Sequence, residues 1–78
     1  MTLNVKMKVK NVPTPKIVKT LGKFGSSFRF EYTLIKESDC VLIFFQVIEW
    51  RSLSELLRRL SLIPNSEVDI LKVERVMK

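Results

Sequence analysis

Cys40 is the single thiol of this chain, and no histidine accompanies it. A reactive cysteine needs a base or cation nearby to hold its thiolate. Cys40 instead opens the uncharged apolar run Cys40–Ile48, so it is expected to pack as a small hydrophobe. One cysteine excludes a disulfide framework, a thiolate zinc knuckle and a C-x-x-C redox pair. The lack of histidine excludes a Ser–His or Cys–His relay and an imidazole metal site. The acids lie beside opposite charges, so no acid/base pair stands out. Neither G-x-x-x-x-G-K-[ST] nor G-x-G-x-x-G occurs, and Gly22 and Gly25 are expected to end a helix. No catalytic residue, metal or cofactor is expected, and the chain is not read as an enzyme.

The lysines carry a different chemistry. The net charge is +6, and residues 1–25 hold Lys6, Lys8, Lys10, Lys16, Lys19 and Lys23 without an acid. The remaining residues balance eight basic side chains with eight acids. A one-sided positive field attracts anions. Lys6, Lys8, Lys10 and Arg29 are therefore a candidate DNA- or RNA-binding set, against the plainer reading of a solvated lysine face. Lysine alone lacks the bidentate fork that arginine offers phosphate. An RNA-recognition module would carry a basic residue, Gly and spaced aromatics on its third strand; Asp39-Cys-Val-Leu-Ile-Phe-Phe-Gln-Val-Ile-Glu-Trp50 has neither the Gly nor the basic residue. An acylphosphatase-like hydrolase would need an Arg-bearing loop after the first strand, and Val12-Pro13-Thr14-Pro15 has none. A second candidate is the segment Asn11–Lys16, where a strand runs into a helix N-terminus. Backbone N–H groups there attract carboxylate or phosphate, with Asn11, Val12, Thr14 and Lys16 as contacts. An ordinary capped helix start accounts for the same residues.

Seventy-eight residues make one domain, 1–78, and the composition, 46% hydrophobic and 28% charged, is globular. Leu3, Val5, Met7 and Val9 alternate with Asn4, Lys6, Lys8 and Lys10, which predicts a half-buried strand ended by Asn11-Val12-Pro13. Thr14-Pro15 starts a helix whose apolar residues are Ile17, Val18, Leu21 and Phe24. Ser27–Lys36 is expected to be a strand sending Phe28, Phe30, Tyr32 and Leu34 inward. After the turn Glu37-Ser38-Asp39, Cys40–Trp50 forms its antiparallel partner. Ser52-Leu53-Ser54-Glu55 matches a capping box before the stripe Leu53, Leu56, Leu57, Leu60. Pro64 stops that helix. Ser66–Met77 is the last strand, its mixed phase calling for a bulge or for partial cover on both faces. The order β-α-β-β-α-β, with right-handed crossovers, puts both helices on one face. The expected fold is therefore α+β and ferredoxin-like, with antiparallel sheet order 4-1-3-2.

One sheet face is then bare. The third strand cannot hide every side chain, and the set containing Gln46 is the expected outward one, with Leu42, Phe44 and Ile48. A monomer seldom exposes such a strip without a use. A core this small supplies only about 3–5 kcal/mol. A homodimer or larger homo-oligomer through Leu42, Phe44 and Ile48 is the expectation, unless lysine stems shield the strip. The longest uncharged apolar run is too short to span a bilayer as a helix, and Met1–Lys10 is unlike a signal peptide. No membrane partner and a reduced cytoplasmic setting are expected.

The C-terminal half, with Leu53/Leu56/Leu57/Leu60, Ile63-Pro64 and Val73-Glu74-Arg75-Val76, resembles the end of an ACT domain. The resemblance implies a non-catalytic regulatory domain that pairs with copies of itself and senses an amino acid or small anion at a subunit interface, near the first strand–helix loop. That loop in the family carries an acid and a Gly before the helix. Asn11-Val12-Pro13-Thr14-Pro15 carries neither, so fold and self-association carry over further than the ligand.

Overall fold

The computed structural model describes residues 2–27 and 31–76, with backbone alone at Ser26 and Ser27. The elements run β1 (Thr2–Lys10), α1 (Thr14–Ser27), β2 (Glu31–Lys36), β3 (Cys40–Val47), α2 (Trp50–Ser61) and β4 (Glu67–Val76). The antiparallel sheet has the order β2-β3-β1-β4, which is the expected 4-1-3-2 read from the other edge. The fold is the ferredoxin-like α+β arrangement. The alternation of β1 becomes a burial alternation: Leu3, Val5, Met7 and Val9 are buried and the residues between them are half-buried. Val41, Ile43, Phe45 and Val47 of β3 join them, and Ile17, Leu21 and Phe24 of α1 and Leu53, Leu56 and Leu60 of α2 close the core.

Several boundaries differ from expectation. β3 ends at Val47 rather than Trp50, because α2 begins at Trp50. The capping box does not form. The N-cap is Glu49, without a side-chain cap bond, and Ser52 is buried inside the helix. Glu55 turns instead to Arg58 and Arg59, with Arg58 Nη2 at 2.7 Å and Arg59 Nε at 3.0 Å from Oε1. Those charge-assisted bonds are stronger than a capping contact to a neutral amide. Hydrogen bonds from Arg58 first and Arg59 second hold the Glu55 carboxyl down at about 2.

Neither Gly22 nor Gly25 stops α1, which runs on to Ser27. Phe24 packs into the core at the far end of the stripe, so tertiary burial overrides the weak helix propensity of glycine. Leu34 of β2 packs against the core, whereas Tyr32, in the same phase on an edge strand, stays 38% exposed. Phe28, Arg29 and Phe30 lie outside the described residues.

A bulge resolves the last strand. Lys6 pairs with Lys72 but Met7 with Ile70, so Leu71 is the extra residue. The bulge puts Val68 and Val73, five positions apart, on the same helix-covered face, where both pack against the core.

Candidate functional site

The register of the four strands lays out the helix-free face as rows. Across β2, β3, β1 and β4 the first row is Glu31, Gln46, Asn4, Glu74 and the second is Thr33, Phe44, Lys6, Lys72. The third is Ile35, Leu42, Lys8, Asp69, and the fourth carries Cys40, Lys10 and Glu67 on β3, β1 and β4. Neighbouring strands lie about 4.8 Å apart, so each row is a short ladder of neighbouring side chains.

The β1 lysines are not a free positive strip. Lys8 faces Asp69 and Lys10 faces Glu67. The four rows hold Lys6, Lys8, Lys10 and Lys72 against Glu31, Glu67, Asp69 and Glu74, a net charge of zero. Lys6 and Lys72 are directly opposed like charges, a costly arrangement unless each finds another partner. Lys72 Nζ lies 3.1 Å from Glu74 Oε2, and Lys6 Nζ stands 5.4 Å from the centroid of the Phe44 ring.

Leu42 and Phe44 therefore lie near the middle of a charge-balanced face, on a central strand, and both are half-buried. Ile48 lies past the end of β3, 67% exposed, beyond the rows. A groove of about 700 Å³ crosses the first two rows, with Phe44, Glu31, Lys6, Lys72 and Glu74 among its lining residues. Inside it, Asn4 Oδ1 is buried without a hydrogen-bond partner among the described residues. The β4 acids facing the lysines, Glu67 and Asp69, are features that sequence reasoning did not place on this face. Their signal lay in the β1–β4 register, which depends on the bulge.

The β1–α1 loop forms a separate cleft of about 230 Å³. Asn11, Val12 and Thr14 line it together with Lys36, Glu37, Ser38, Asp39 and Cys40; Lys16 is not among the lining residues. Asn11 adopts φ 64°, a left-handed turn that asparagine tolerates. At the helix start Pro15 has no N–H, and the amides of Lys16 and Ile17 donate to Pro13 O at 3.0 and 3.3 Å. These amides are therefore occupied, and the charged groups lining the cleft are Lys36, Glu37 and Asp39, which bring both signs to it. Arg29 lies outside the described residues. Among the described residues no group of three His, Cys, Asp or Glu side chains could hold a metal ion, and no helix is long and apolar enough to cross a membrane.

These features define a small ferredoxin-like domain with a mixed apolar and charge-balanced sheet face. One solved structure it resembles is a bacterial light-regulated adenylyl cyclase, with TM-score 0.75 and 13% identity; the match covers all of this chain and 24% of that one. The de novo designed proteins Ferredog-Diesel (TM-score 0.55, 10% identity, 92% of this chain, 85% of that one) and Foldit4 (0.56, 13%, 99% and 100%) share the fold. At these identities the likeness is one of fold. No protein-family model and no curated protein matches the chain.

Proposed function

We propose that the chain is a non-catalytic, ACT-like self-association module whose helix-free sheet face is covered by a second copy of itself. The observation that carries this reading is the placement of Leu42 and Phe44 on a central strand, amid equal numbers of opposite charges. An apolar centre with a balanced polar surround is the composition of a protein–protein interface. It also lets two copies approach without net repulsion. Covering the strip adds apolar burial to a core too small to supply much stability alone.

Regulation in this reading works by linkage. A small ligand held where copies meet favours the assembly by its greater affinity for that state. The cleft of Asn11, Val12 and Thr14, with Lys36 beside Glu37 and Asp39, carries both signs of charge and so suits the zwitterionic head of an amino acid. Polyanion binding through Lys6, Lys8 and Lys10 is the weaker reading for this face, because the acids of β4 offset those lysines.

Sedimentation over a concentration series tests the proposal. Wild type shifts from monomer to dimer or larger as concentration rises, and Phe44→Glu stays monomeric with an unchanged circular dichroism spectrum. A wild type that remains monomeric at high micromolar concentration overturns it.

A further inference from the structure

The charge excess resides on the helix layer. The helix-free face sums to zero, whereas α1 carries Lys16, Lys19 and Lys23 with no acid, a charge of +3. α2 adds Arg51, Arg58 and Arg59 against Glu55, +2. The two helices thus account for +5 of the chain's +6. Lys16, Lys19, Lys23, Arg51 and Arg58 are all exposed. The three lysines stand at i, i+3 and i+7, one face of the helix, over a rise of about 10 Å. Arg59 of α2 lies over the Phe24 ring of α1, 5.6 Å from its centroid, so the two helices touch within one layer.

We propose that this outer helix surface binds the phosphate backbone of nucleic acid without regard to sequence. The chemistry selects that partner. A lipid surface is met by a continuous apolar face as well as charge; here Ile17, Leu21, Phe24, Leu56 and Leu60 are fully buried, and the apolar side chains left outside are Val18 on α1 and Trp50 and Leu62 at opposite ends of α2. What faces out is a row of lysine point charges with arginines beside it. Such groups neutralise phosphates and release counterions, and phosphate contacts carry no sequence information. The surface lies on the opposite side of the sheet from Phe44, so a dimer formed through the sheet presents two such surfaces outward.

The test is fluorescence anisotropy with labelled mixed-sequence single-stranded DNA, RNA and duplex DNA, between ~50 and ~200 mM salt. The logarithm of the association constant should fall linearly with the logarithm of salt. The triple variant Lys16→Gln, Lys19→Gln, Lys23→Gln should reduce that slope by about three, roughly one per lysine. The β1 triple Lys6→Gln, Lys8→Gln, Lys10→Gln should leave the slope unchanged. All three α1 lysines are exposed, so that variant keeps its fold, which thermal melting checks. No binding at low salt, a slope lost with the β1 triple rather than the α1 triple, or binding only to anionic phospholipid vesicles each overturns the inference. Self-association is read separately by sedimentation, so failure of either proposal leaves the other standing.

Discussion

Lys6 holds its ammonium 5.4 Å from the centroid of the Phe44 ring, and the two residues are direct cross-strand partners in the middle of the helix-free face. The contact answers two problems at once. It gives Lys6 a partner other than the like-charged Lys72, and it lays a lysine stem along a half-buried aromatic. A double-mutant cycle of Lys6→Met and Phe44→Leu, measured by denaturant unfolding of dilute protein, should give a coupling of about 0.5–1 kcal/mol. Additive effects would show that the cation contributes nothing to the ring.

Asn4, on the central strand β1, carries a buried Oδ1 with no hydrogen-bond partner among the described residues. An unmade bond at a buried acceptor costs more than an apolar group at the same place, and a β-branched residue suits a strand better. Asn4→Val should therefore raise unfolding stability by about 1 kcal/mol. A loss of stability would mean that the amide is satisfied in solution.

Gly22 stands inside α1, without a left-handed backbone, and a Cβ built on it meets nothing within 4 Å. Gly22→Ala removes backbone freedom from the unfolded chain and adds no clash. It should stabilise the protein by about 0.5–1 kcal/mol, seen as a raised melting temperature. A lowered one would show that the α1 backbone at this position is not helical in solution.

Glu55 gives a pH dependence with a definite sign. Its carboxyl falls from 4.5 to about 2, chiefly through the hydrogen bonds of Arg58 and then Arg59, against the opposing effect of burial. A group that binds its proton more weakly when folded stabilises the fold fully above its ordinary value and loses that contribution as pH falls. Glu55→Gln should melt below wild type at neutral pH, with the gap closing between pH 4.5 and about 2. Salt should narrow the gap, because Arg58 is exposed and Glu55 and Arg59 are only half-buried. A gap that widens with acid contradicts this account.

Particular residues show how far the pattern alone reached. The β1 alternation and the inward phase of β3 were legible because Lys6, Lys8, Lys10 and Gln46 each label the outer face unambiguously. The start of α2 was not, since Ser52 and Glu55 satisfy a capping spacing that the Arg58 and Arg59 guanidiniums override. The glycines of α1 misled for a similar reason: propensity is local, and the burial of Phe24 is not. The charge balance of the sheet face was beyond reach, because Lys8 meets Asp69 and Lys10 meets Glu67 only in a register that a bulge at Leu71 sets. Without that register the basic N-terminal half looked like a single positive surface. It divides instead into a balanced sheet face and a basic helix layer.

The most direct test of the central claim is chemical-shift mapping by NMR across a concentration series. Self-association through the helix-free face predicts concentration-dependent shifts at Thr33, Leu42, Phe44, Gln46, Lys6 and Lys8, with Lys16, Lys19 and Lys23 unmoved. Shifts confined to the helices or to the outer edges of β2 and β4, or no shifts at all up to high micromolar protein, would contradict it.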